Sequence, residues 1–151
     1  MINIARAVHV LGVLWWIGGL AMITATVLPA LMHSELSETD RQRMLGPLRR
    51  RFAWQVRAAL LLVGGAGGYM LDRLGGFARL GLAQGWWIDL MLLTWGLFVL
   101  MLFVIEPLGL LDKSPLAQRP RAFLALHVFL LVLTLATVAC GVVEAHGGFG
   151  Y

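Results

Sequence analysis

The sequence predicts an all-α integral membrane protein, an antiparallel four-helix bundle forming a single four-transmembrane-helix domain over residues 1–151. Three observations carry that expectation. Apolar residues make up 60% of the chain and charged residues 13%, with mean hydropathy +0.82, whereas a soluble domain runs near one half and one quarter. Such a chain has too little charge to coat a globule, and too many apolar and aromatic residues to stay disordered. The apolar excess also comes in blocks: residues 7–32 and 122–143 contain no Asp, Glu, Lys or Arg and reach the length of a bilayer-crossing helix. Two further charge-free blocks, 58–71 and 90–105, are shorter. They reach spanning length only if Arg57, Asp89 and Glu106 lie at or just inside the membrane.

The expected spans are therefore about 5–31, 52–71, 87–107 and 121–143. The first is too long for a signal-peptide core and has no small-residue cleavage site, so it reads as a retained helix, with Pro29 near its end. In the first connection, Ser37 and Asp40 have capping-box spacing. A short cytoplasmic helix is expected there before the second span, with Pro47 in the loop. The second span carries Gly64-Gly65-Ala66-Gly67-Gly68, whose Gly64 and Gly68 form a small-xxx-small pair suited to close helix contact. That contact is either within the bundle or across a homodimer. The segment from Asp72 to Trp86 mixes glycine with Leu74, Phe77, Leu80 and Leu82. It is expected along the interface, with Trp86 and Trp87 anchoring the third span. Pro107 closes that span, and Pro115 and Pro120 bracket the start of the fourth, where a first-turn proline is tolerated.

Orientation follows from the basic residues. The first and third connections hold Arg41, Arg43, Arg49, Arg50, Arg51, Lys113, Arg119 and Arg121, against Arg6, Arg73 and Arg79 on the other side. This bias predicts a bacterial inner-membrane protein with both termini in the periplasm. The same clustering explains the formal charge of +4 without nucleic acid, since no basic stripe is interleaved with aromatics. The lone Cys140 has no internal disulfide partner and reads as a small packing residue. No glycine-rich phosphate loop, metalloprotease helix or Ser-His-Asp set is present. Hydrolytic and nucleotide-driven functions are excluded on that basis, and no catalytic residue stands out.

Four histidines are the informative polar residues. His9 lies about one turn inside the external end of the first span, and His146 at the external end of the fourth. His33 and His127 lie toward the cytoplasmic ends of the same two spans, which are commonly neighbours in a four-helix bundle. Paired membrane imidazoles ligate haem b axially, and neutral imidazole also suits copper. On a helical wheel the face of His9 carries Gly12, Trp16, Gly19 and Ile23. That face is either a slot for a flat ligand walled by Trp16 or a packing seam. The rise from His9 to His33 is about 36 Å, and from His127 to His146 about 29 Å, more than two stacked haems in one bilayer core would need. One site is expected, with His9 and His146 as its first-choice ligands and His127 as a further candidate. Met22, Met70, Met91 and Met101 read as packing residues rather than copper thioethers. Arg57 and Glu106 are expected to pair, because a lone charge at that depth is costly, and His127 is a candidate third member. Asp89 is expected to meet Arg73 or Arg79, or to sit beside His9.

The opening run, Arg6-Ala7-Val8-His9-Val10-Leu11-Gly12-Val13-Leu14-Trp15-Trp16-Ile17-Gly18-Gly19, resembles the first helix of CopD-like (copper resistance protein D family) membrane proteins, which associate a membrane His with a downstream Trp and Gly-Gly. The resemblance extends through Arg50-Arg51-Phe52-Ala53-Trp54-Gln55, Leu97 to Pro107 around Glu106, and Ala145-His146-Gly147. More distantly the chain is similar to HemJ-type membrane proteins. The first resemblance implies copper uptake or resistance with a periplasmic or membrane copper partner; the second implies haem b. Three functions stand open from sequence: a haem b protein with a redox or electron-transfer role and a redox partner, a CopD-type copper protein, and a structural accessory subunit of a membrane complex.

Overall fold

The computed structural model describes residues 1–35, 37–110 and 119–148. Among them there are no strands, and four long helices dominate. Helix α1 runs Ile2–Met32, with a π-helical stretch at Ile23–Val27. Helix α2 runs Glu38–Arg73. Helix α3 runs Trp86–Leu100 and continues as a π-helix, Met101–Ile105. Helix α4 runs Pro120–Ala145. Lys113 and Pro115, part of the orientation and boundary arguments, lie outside the described residues.

Consecutive helices pack antiparallel and the ring closes between α1 and α4, with α1 against α2 the most extensive contact. Its centre is Trp16, Leu20, Val56, Ala59, Leu60, Phe98 and Leu130, where the Trp16 and Phe98 rings meet edge-on at 4.6 Å. Most of the remaining apolar surface faces outward: Leu93 is 72% exposed, Leu11 65% and Phe129 60%. In water those side chains would cost about 1.5–3 kcal/mol each. Three helices, α1, the Ala83–Ile105 stretch and α4, are long and apolar enough to cross a membrane. This is a membrane protein. Helix α2 falls outside that group because Arg57 and four glycines dilute its apolar block, yet it runs beside α1 from Phe52, against Gly19, to Gly67, against His9.

Because lipid tails are as apolar as leucine, bundle packing relies on close fit rather than on expulsion from water. Glycines supply that fit. A Cβ on Gly12 would meet Val63, on Gly19 the Phe52 ring, on Gly64 the Trp95 indole, and on Gly141 the Met91 methyl. Small residues thus receive large ones at the α1–α2, α2–α3 and α3–α4 seams.

The first connection differs from expectation. Helix α2 is continuous from Glu38 and contains Pro47, so the short cytoplasmic helix and the second span are one element. Proline removes the N–H that Arg43's carbonyl would accept, but residues 43, 44, 46 and 47 are exposed, so that carbonyl is open to solvent. The helix starts at Ser37, whose Oγ accepts the Asp40 N–H at 3.2 Å and donates to Asp40 Oδ2 at 2.6 Å. Between α2 and α3 the chain turns through Gly75 and Gly81, at φ +66° and +70°, into two short 3-10 turns. The carboxylate of Asp89 accepts the Gly81 N–H at 3.1 Å.

Candidate functional site

Two polar centres lie within the bundle. The first begins with a backbone defect in α3. In the π-helical stretch, the Glu106 N–H bonds the Met101 carbonyl five residues back, and Pro107 has no N–H. The Leu102 carbonyl therefore loses both main-chain donors that could reach it. Arg57 of α2 fills the gap: Nε and Nη2 donate to Leu102 O at 3.0 and 2.8 Å. Nη2 also meets Glu106 Oε2 at 2.8 Å. The guanidinium lies 5.5 Å from the Trp54 ring centroid and 5.8 Å from that of Phe103. Charge, carbonyl and aromatic faces together satisfy a cation inside an apolar helix.

The second centre is His9. Its Nδ1 lies 3.0 Å from the Val63 carbonyl of α2. A carbonyl only accepts, so Nδ1 carries the proton and the neutral ring leaves Nε2 with a bare lone pair. Gly67, four residues after Val63, makes this approach feasible: a Cβ there would lie 3.3 Å from His9 Cε1. The same device recurs one turn away. Trp95 of α3 donates Nε1–H to Leu60 O at 2.9 Å, passing over Gly64, four residues after Leu60. Each glycine removes the side chain that would shield the carbonyl one turn before it, and a neighbouring helix uses that carbonyl's second lone pair. A Cβ on Gly65 or Gly68 would meet nothing within 4 Å. Within the bundle the pair that makes the close contacts is therefore Gly64 and Gly67 rather than Gly64 and Gly68.

The other histidines bond their own helices. Nδ1 of His127 lies 3.0 Å from Phe123 O, of His146 2.8 Å from Val142 O, and of His33 2.8 Å from Pro29 O. All four rings thus present Nε2, as an imidazole does when a carbonyl bonded to its Nδ1 orients it toward a metal. The His127 ring lies tilted against that of Phe123, centroids 4.4 Å apart, and does not bond the Arg57–Glu106 pair. By the Trp16–Phe98 and Thr94–Thr137 contacts, His9 stands level with Cys140. His146 is exposed and lies past the end of α4, about 9 Å further along the axis. His9 and His146 therefore share an end of the bundle without facing each other.

Of the two readings of the His9 face, slot and seam, the structure shows the seam. Gly12 and Gly19 are filled by Val63 and Phe52 of α2, because the antiparallel register brings those side chains opposite the notches. Trp16 is 4% exposed and its Nε1 has no acceptor. Asp89 meets neither Arg73 nor Arg79 but the loop backbone at Gly81, since the turn folds over the start of α3; Arg73 lies 3.8 Å from Asp72. Among the described residues, no group of three or more His, Cys, Asp or Glu is placed to hold a metal ion. The π-helical stretches escaped sequence reasoning, although a proline closing each apolar block was their visible trace. No family model, curated protein or solved structure matches the chain.

Proposed function

We propose that this chain is a four-span bacterial inner-membrane protein, termini periplasmic, that binds haem b through membrane histidines and serves a redox or electron-transfer role. The observation that carries the reading is the His9 Nδ1–Val63 O bond. It fixes the tautomer and leaves Nε2 as a ligand inside a span, where an uncommitted imidazole has little structural reason to be. The donor atom fits a haem iron. The seam at Gly12 and Gly19 does not fit a macrocycle, so a haem on His9 would sit outside that seam. Bound haem would supply one-electron chemistry. The chain's own part is to orient the ring through Val63, to seat it on Gly67, and to surround it with apolar residues that exclude water. Orientation rests on the basic residues, and the fourth crossing on α2 running beside α1.

The same Nε2 atoms suit copper, as the CopD resemblance implies, so copper is the second reading. The deciding experiment is an absorption spectrum of the purified full chain, oxidised and dithionite-reduced, with parallel copper analysis. We expect a Soret band and a reduced α-band that His9→Ala abolishes. Absence of a Soret band after expression with added haem precursor overturns the haem reading. Stoichiometric copper lost in His9→Ala would then favour the copper protein, and neither ligand would leave the accessory-subunit role.

A further inference from the structure

The defect answered by Arg57 in α3 has a counterpart in α1 that no described side chain answers. In α1 the Leu28 N–H bonds the Ile23 carbonyl five residues back, and the next residue is Pro29. The Thr24 carbonyl thereby loses both main-chain donors, as the Leu102 carbonyl does. The two helices run in the same direction, and from the Trp16–Phe98 contact Thr24 is level with Glu106, about one turn beyond Leu102. Thr24 differs from its counterpart in two respects. No guanidinium reaches it, and its own hydroxyl is buried, 4% exposed, with no hydrogen-bond partner. The other buried threonines are all partnered: Thr134 Oγ1 donates to Leu130 O at 2.6 Å, Thr137 Oγ1 to Leu133 O at 2.8 Å, and Thr94 Oγ1 lies 2.9 Å from Thr137 Oγ1. Thr24 alone of the four has no partner among the described residues.

A carbonyl without a donor and a hydroxyl without a partner, side by side in an apolar bundle, are destabilising if left empty. Buried groups of this kind are normally met by an ordered water making two to four bonds. We propose that Thr24 is the binding site of an internal water, which donates to the Thr24 carbonyl and exchanges a hydrogen bond with Oγ1. The chemistry favours water over a metal cation because Thr24 supplies two neutral oxygens, while Oε2 of Glu106 is already bonded to Arg57. Water, unlike a metal cation, can both donate to the carbonyl and accept from the hydroxyl.

The test is infrared difference spectroscopy of the full chain in lipid nanodiscs, comparing hydration with ordinary and 18O-labelled water. The wild type should show an isotope-sensitive O–H stretch of a weakly bonded internal water. Thr24→Val, which keeps the side-chain shape, should lose that band. Pro29→Ala, which restores an N–H for the freed carbonyl, should lose or shift it, and circular dichroism of both variants should remain helical. A wild type without the band, or a band unchanged in both variants, overturns the proposal. So does a thermal unfolding midpoint that rises with sodium or potassium over choline in the wild type and not in Thr24→Val, because the occupant would then be a cation.

Discussion

Arg57 and His9 both reach across this bundle to a main-chain carbonyl, at Leu102 and Val63, and they do so on different terms. Arg57 carries a permanent charge. Its site supplies two bonds to one carbonyl, a carboxylate and two aromatic faces, so it is occupied by its own protein. His9 is satisfied as a neutral ring by one bond and keeps a lone pair in reserve. A fully answered cation holds two helices together, whereas a half-answered imidazole has something left to bind. That difference is why the ion pair reads as architecture and the histidine as the ligand.

The largest effect should come from breaking the first centre. Glu106→Ala leaves Arg57 without a counter-charge. With side chains 18% and 22% exposed, the loss should fall at or below the lower end of the range for buried pairs, about 2–3 kcal/mol. Equilibrium unfolding in mixed micelles measures it, and a loss under 1 kcal/mol would mean that the Leu102 carbonyl and the aromatic faces hold Arg57 alone. Next in size is Gly64→Ala. Its Cβ would lie 2.6 Å from Trp95 Cζ2, on an indole held by its bond to Leu60, so overpacking should cost about 1–2 kcal/mol. An unchanged midpoint would show that Trp95 yields freely. His9→Leu deletes a single neutral hydrogen bond and should cost less than about 1 kcal/mol, while removing the Soret band expected above. A loss matching that of Glu106→Ala would erase the distinction between the two centres.

Much of this was legible in the chain. Charge-free blocks located the helices, because no other feature lets 26 consecutive residues such as 7–32 avoid charge. Arg57 and Glu106 announced each other, since both interrupt apolar stretches and neither is tolerated alone. The Ser37–Asp40 spacing marked a helix start because capping is local chemistry. What depended on neighbours was hidden. Whether Gly12 and Gly19 form a slot or a seam is decided by Val63 and Phe52, which the register delivers from α2. Pro47 suggested a loop, but it sits in an exposed turn of the helix, where a carbonyl without its N–H is open to solvent. For Asp89 the sequence offered Arg73 or Arg79, or a place beside His9, while the loop supplied a nearer N–H at Gly81. The two prolines at 29 and 107 looked like terminators. They do lie near the helix ends, at Met32 and Ile105, and in the fold each also frees a carbonyl, because a π-helical shift has already removed the alternative donor.

The smallest expected change sharpens the comparison most. Gly67→Ala sets two effects against each other. Alanine in place of glycine within a helix gains up to about 1 kcal/mol from propensity, while its Cβ at 3.3 Å from His9 Cε1 and 3.4 Å from Nδ1 pushes the ring by a few tenths of an ångström. The unfolding midpoint should therefore move by less than about 0.5 kcal/mol, but the bond to Val63 should weaken. Imidazole 15N chemical shifts separate the two nitrogens directly. The wild type should show His9 as the Nδ1–H tautomer, and Gly67→Ala should admit the Nε2–H form. If the tautomer holds while the ring is displaced, the carbonyl does not govern His9. The lone pair on Nε2 would then be a consequence of burial, and the contrast with Arg57 would narrow to charge alone.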